Sequence, residues 1–412
     1  MIHFEQFSLS NGLQVIVHQD HTTPLAVVNI LYNVGSRDET EDKTGFAHLF
    51  EHLMFGGSVN IPSYDEALQN VGGENNAFTS PDITNYYLSL PADNLETAFW
   101  LESDRMLSLA FDEKSLEVQR KVVIEEFNQR YLNQPYGDVW LKLRPLAYEV
   151  HPYKWTTIGK EISHIADATM EDVKAFFKKF YCPLNAVLVV AGNVQIDEVK
   201  KLAQKYFEPI PAGEKYERNL PKEPAQLSPR RLEITAKVPT NAIYKVYHMP
   251  EKLHPDYTAC DLLSDVLGRG KSSRLYTKLV NELRLFNSIS SHITGSNEAG
   301  LILIEGKLNE NISFEDAEKG IQLVLNELIA KPVTQDELDK VRNQAISGIV
   351  FGEVELLNRA MHLAFAHNLG DVNLANKEVE TLEKVTLAQV NALIATFLVE
   401  SNCSTLIYKA DK

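Results

Sequence analysis

Cysteine is scarce: Cys182, Cys260 and Cys403 are the only three in 412 residues, far apart and without a C-x-x-C pair. This usage excludes a disulfide framework and a cysteine-type zinc site, and predicts buried free thiols. Long apolar runs are missing too. The stretch Ala186 to Ala191 falls far short of the roughly 18 residues that span a bilayer, so no membrane partner is expected. Basic residues are in the minority, 40 against 56 acidic, and a net charge of −16 argues against a broadly basic nucleic-acid surface. The opening Met1-Ile2-His3-Phe4-Glu5 has no basic segment ahead of an apolar core. The expectation is therefore a cytoplasmic protein, or a periplasmic one if a signal has been removed.

What remains is ordinary globular composition, 44% hydrophobic and 23% charged, over a length that suggests two or more domains. Pro209, Pro211, Pro221, Pro224 and Pro229 cluster in a polar stretch at the midpoint. Proline fixes its own φ and lacks an N–H donor, so this stretch reads as a linker. The expected division is a domain over 1–215, a proline-rich linker over 216–231 and a second domain over 232–412. Strand-like runs such as Leu13 to Val17, Ala26 to Tyr32 and Tyr86 to Leu90 accompany helical patterns at Ser63 to Val71 and Leu95 to Ala110, without strict alternation. The first two runs read as hairpin neighbours, which favours an α+β fold of mainly antiparallel sheets packed with helices. An offset of 212 residues sets Ala47 on Ala259, Gly56 on Gly268, Tyr64 on Tyr276 and Asn75 on Asn287, as duplication of one unit would produce.

Under that register His48, Glu51 and His52 fall opposite Cys260, Leu263 and Ser264, so only the first half keeps a polar trio. The segment Gly45 to Gly57 reads as a helix closed by Gly56 or Gly57. At helical spacing the three side chains converge on one face. Two imidazoles one turn apart can take two corners of a tetrahedral zinc site, with the carboxylate between them placed to take a proton from water. The plainer alternative is a partly buried helix whose polar residues pair with one another. Several ionisable groups in an otherwise apolar helix favour the metal, because burying them uncompensated is costly. A third ligand must come from elsewhere. A helix expected from Asp112 as N-cap through Phe127 carries Glu125 and Glu126, and periodicity alone does not choose between them.

H-x-x-E-H at 48–52 resembles the signature of the pitrilysin/insulinase family of metallopeptidases. The likeness extends to Gly45-Phe46-Ala47-His48, to Gly72-Gly73 followed by Asn76-Ala77-Phe78-Thr79, and to Asp82 through Tyr86. It continues at Tyr181 to Ala186 leading to Gly192, and at Gly268 to Tyr276 in the second half. The resemblance implies one Zn2+ per chain held by His48, His52 and Glu126, with Glu51 as the general base of peptide hydrolysis. It also implies that Asn75 to Ser80 is an edge strand to which an extended peptide adds, so that Asn76, Ala77, Phe78 and Thr79 contact substrate. The expected activity is that of a zinc endopeptidase acting on peptides or unfolded segments inside a chamber. The alternative is a non-hydrolytic peptide-binding or structural subunit.

Two departures from the family pattern stand out. Gln119 occupies a position beside the metal ligands where the family often has a second glutamate. In the second half, anchoring on Gly300 puts Ile289 and Ser296 where family members often supply an arginine and a tyrosine to hold substrate. Some bacterial relatives divide these parts between two chains. The resemblance thus implies a homologous partner subunit in a heterodimer, or else a self-sufficient homodimer.

Overall fold

The apolar run Leu25–Tyr32 is buried from Ala26 onward, the mark of a strand covered on both faces. In the computed structural model, which describes residues 1–110 and 112–411, it is β3 of a six-stranded sheet. The other strands are β1 (Glu5–Ser8), β2 (Gln14–Gln19), β4 (Glu74–Thr79), β5 (Thr84–Pro91) and β6 (Ala186–Gly192), in the order β1-β2-β6-β3-β5-β4. A second sheet contains β7 (Arg230–Ala236), β8 (Ala242–His248), β9 (Phe286–Ile293), β10 (Leu301–Leu308) and β11 (Cys403–Ala410), in the order β7-β11-β8-β10-β9. Apart from β1, the second order repeats the first, with the last strand of each half inserted between earlier ones. Each sheet is antiparallel except for one parallel pair, β2 with β6 and β7 with β11. The fold is α+β with mainly antiparallel sheets. The expected hairpin between the runs at 13–17 and 26–32 does not form, because β6 sits between β2 and β3 and pairs with both. Sequence neighbours gave way to a distant strand whose apolar run is buried from Val187 onward.

Two compact units share the chain. One comprises Met1–Asn128, Trp155–Leu220 and Val350–Lys377; the other comprises Gln129–Lys154, Pro221–Ile349 and the chain from Glu378 onward. Each unit therefore borrows a segment from the opposite half of the sequence. Helix Leu356–Asn368 covers one face of the first sheet, setting Ala360, Leu363 and Ala364 against Val27, Leu31, Val187 and Val189. Reciprocally, helix Val139–Ala147 packs Val139, Leu143 and Ala147 against Tyr244, Val246, Leu303 and Leu406 of the second sheet. All three cysteines are buried and free. Among the described residues no helix is long and apolar enough to cross a membrane.

Helices on the other face of the first sheet position the polar trio. They are α1 (Phe46–Leu53), α2 (Tyr64–Gln69), α3 (Leu95–Leu107) and α4 (Glu113–Phe127). In α1 the apolar Phe46, Ala47, Leu49, Phe50 and Leu53 are buried, leaving His48, Glu51 and His52 on the remaining face. The helix stops at Leu53, before Gly56, and Gly57 supplies the left-handed turn with φ of 92°.

Candidate metal centre and substrate edge

The N-terminus of α1 is held by a residue that sequence reasoning passed over. Glu39 is buried, and its two carboxylate oxygens accept from the backbone N–H groups of Gly45 and Ala47 at 2.9 and 2.8 Å. Burial pushes the Glu39 carboxyl well above the ordinary carboxylate range, while those two backbone donors pull in the opposite direction. Gly45 itself has φ of 88°, and a Cβ there would meet the Ile158 carbonyl oxygen at 2.7 Å, so this entry into the helix requires glycine.

Behind the C-terminal end of α1 lies a second buried arrangement. Arg105 on α3 donates from Nη2 to both oxygens of Glu102 at 2.5 and 2.6 Å, and Tyr64 of α2 donates to the same carboxylate. The guanidinium lies 4.5 Å from the Tyr86 ring centroid, 4.7 Å from that of Tyr64 and 5.6 Å from that of Phe55. Burial disfavours the Arg105 charge, yet Glu102 reverses this and the guanidinium is held more firmly protonated than usual. In sequence Glu102 and Arg105 are three apart on one helix, the spacing at which an acidic and a basic side chain can meet.

These supports leave His48 and His52 facing α4. Asp112 caps α4 by accepting from Ser115 N at 2.8 Å, as its sequence position predicts. Leu116, Val123 and Phe127 are the buried stripe of that helix. Glu126, three residues past Val123 and adjacent to Phe127, lies on the edge of that stripe nearest α1, whereas Glu125 is exposed. Glu126 Oε2 is 3.5 Å from His48 Nε2 and 3.3 Å from His52 Nε2, and the two imidazole nitrogens are 3.3 Å apart. Among the described residues, His48, His52 and Glu126 form a group that could hold a metal ion. Their fit to zinc can be tested on these separations, because ligand atoms about 2.0–2.1 Å from a tetrahedral ion lie about 3.3 Å from one another. The donor set matches in both spacing and chemistry, two imidazole nitrogens and one carboxylate. All three side chains are partly accessible, at 13%, 24% and 17%, which leaves a side open to a reactant.

Glu51 lies between the two histidines, and its Oε2 accepts from Thr79 Oγ1 at 2.5 Å. Thr79 ends β4, which pairs with β5 and forms the edge of its sheet. Alternation along β4 places Asn75, Ala77 and Thr79 on the face toward α1, and Glu74, Asn76 and Phe78 on the other. Of the four residues expected to contact substrate, Thr79 thus reaches Glu51 and Ala77 shares its face. Asn76 accepts from Ala77 N at 2.8 Å, and Phe78 turns away, its ring 6.2 Å from that of Phe365. Gln119 lines a small hollow with Leu53, Leu116 and Val173. In the second unit Ile289 is buried in the core, and Ser296 shares a hydrogen bond with Thr294.

Comparison with known proteins gives two family matches. Residues 14–153 match the model described as Insulinase (Peptidase family M16), and residues 167–345 match the one described as Peptidase M16 inactive domain. The zinc protease PqqE of Helicobacter pylori is 36% identical over 350 residues, covering 82% of this chain and 77% of that protein. A probable mitochondrial-processing peptidase subunit beta of Schizosaccharomyces pombe is 30% identical over 315 residues, covering 72% of this chain and 67% of that one. A crystal structure of a protease from Helicobacter pylori superposes with a TM-score of 0.91 at 30% identity, covering 99% of this chain and 100% of that one.

Proposed function

The chain belongs to the insulinase family of peptidases, M16, and on that premise we propose that it is a zinc-dependent endopeptidase for peptides or extended unfolded segments. The observation that carries this reading is the convergence of His48, His52 and Glu126 beside Glu51 and the open edge of β4. His48, His52 and Glu126 would hold the ion. Zinc, when bound, supplies a Lewis acid that polarises a carbonyl and makes water easier to deprotonate. Glu51 takes the proton of the attacking water and returns it to the leaving amine. Thr79, donating to Glu51 Oε2, fixes the direction of that carboxylate. β4, the edge strand of its sheet among the described residues, offers backbone groups to an extended peptide, so affinity comes from main-chain hydrogen bonds and tolerates many sequences. Asn76, Ala77, Phe78 and Thr79 are the contact residues in this reading, and Gln119 adds no negative charge near the ion.

The second half offers Ile289 and Ser296 where a substrate-holding arginine and tyrosine would be needed, and a residue in a closed core cannot serve. This supports a partner chain, a homologous subunit or a second copy, that completes the site. The duplicated domains remain those of 1–215 and 232–412 in this reading, with the zinc site in the first.

Glu51→Gln tests the chemistry. The variant is expected to retain about one zinc per chain by mass spectrometry while kcat on a quenched peptide falls on the order of 10²–10⁴-fold. His48→Ala should lose both metal and turnover. A zinc-loaded wild-type chain, alone and with its partner, that cleaves no peptide would favour the non-hydrolytic alternative.

A further inference from the structure

On the face of the first sheet away from α1, a cavity of about 380 Å³ opens beside β4. Its walls include Leu25 and Val27 of β3, Tyr87 of β5 and Leu356 at the start of helix Leu356–Asn368, and two carboxylates, Glu74 and Glu355, stand at it. The pleat explains the composition. Glu74 pairs with Ser89, which in turn pairs with Val27, so these three share one row across the sheet. Ser89 Oγ donates to Glu74 Oε1 at 3.2 Å, which orients the carboxylate over that row. Among the described residues no basic one lines the cavity. Arg359, one turn along the helix from Glu355, is tied to Asp20 and to the Glu353 carbonyl, so its charge is spent elsewhere.

We infer that this cavity is a specificity pocket for a long basic side chain, lysine or arginine, of a peptide paired to β4. The inference rests on the strand-addition reading above and adds a chemical preference to it. Successive side chains of an added strand alternate between the two faces of the sheet. One set points toward α1 and the zinc ligands; the other set, in register with Glu74 and Asn76, points toward the cavity. Aliphatic walls suit a methylene stem, and carboxylates at the end of that stem suit a cationic head. An acidic side chain would meet two like charges, and a short one would leave the cavity unfilled. Glu74 and Thr79 are five residues apart along β4, on the order of 17 Å of extended chain, so the selected residue sits away from the cleaved bond. Binding energy from a contact that remote can appear in KM or in kcat, and kcat/KM reads it in either case.

The test is an otherwise neutral quenched peptide carrying lysine, norleucine or glutamate at each position in turn. At one position, several residues from the cleaved bond, lysine should exceed norleucine by about tenfold in kcat/KM, and glutamate should fall below both. In the double variant Glu74→Gln/Glu355→Gln the lysine-to-norleucine ratio should drop to near one. Equal rates for lysine and norleucine at every position, or a preference that survives in the double variant, would overturn the pocket. The same peptides bound to zinc-loaded Glu51→Gln, followed by fluorescence anisotropy, separate the two readings. A lysine preference there with an inert wild-type enzyme overturns only the peptidase reading, and its absence beside an active enzyme overturns only the pocket.

Discussion

Arg274 belongs to the Gly268 to Tyr276 stretch that carries part of the family resemblance, yet its guanidinium holds the fold together. It pairs with both oxygens of Glu337 at 2.8 Å and donates to the carbonyls of Lys331 and Pro332. Glu337 also accepts from Thr334 N at 2.9 Å, closing the start of helix Gln335–Gly352. The Arg274 hydrogen bonds chiefly hold the Glu337 carboxyl down at about 2, against an ordinary 4.5. A depressed folded pKa contributes stability above the unfolded value that is lost as pH falls through the folded one. Glu337→Gln should therefore lower the urea midpoint at pH 7, and the gap to wild type should close between about pH 4.5 and about pH 2. A gap independent of pH across that window would show that the lost contact is not the ionised pair.

Helix α1 is short, and an isolated helix of eight residues is not stable in water, so its geometry is imposed from outside. Glu39 fixes one end, and the Glu102–Arg105 pair with its three aromatic rings lies behind the other. Both groups are buried, which makes their removal asymmetric. Arg105→Met strands the Glu102 carboxylate in an apolar site and should cost about 3–5 kcal/mol in chemical denaturation. Adding Glu102→Gln should recover part of that loss, because the uncompensated charge disappears with it. A double variant no more stable than Arg105→Met would point to lost aromatic packing instead.

At the scale of the molecule, the exchange of helices decides what can fold alone. The first sheet presents Val27, Leu31, Val187 and Val189 to helix Leu356–Asn368, which lies beyond residue 215 in the chain. A fragment of residues 1–215 would expose that apolar face, and a patch of this kind drives association. It should be recovered as aggregate or as a species that binds a hydrophobic dye, whereas co-expression with 216–412 should restore a soluble complex. A monomeric, cooperatively unfolding 1–215 fragment would contradict this dependence. The proline-rich stretch is not a slack tether in this architecture. Arg218 is bonded to Asp38 and to Asn33, and Glu223 accepts from the backbone of residues 149–151.

Local order was legible from the residues alone. Helical spacing set His48, Glu51 and His52 on one face, Asp112 announced the start of α4, and the 212-residue offset pairs α1 with helix Tyr257–Gly268 and β4 with β9. These features depend on residues a few positions apart, or on a repeated pattern, and both are written in the order of the chain. Other features depended on partners far away in sequence. Periodicity left Glu125 and Glu126 equivalent, and only the packing of α4 against α1 brought Glu126 to the histidines. The insertion of β6 between β2 and β3, the burial of Glu39 beneath α1 and the acidic cavity beside β4 are likewise set by chain closure. Strand pairing and burial are energies of juxtaposition, and juxtaposition exists only once the tertiary fold has formed.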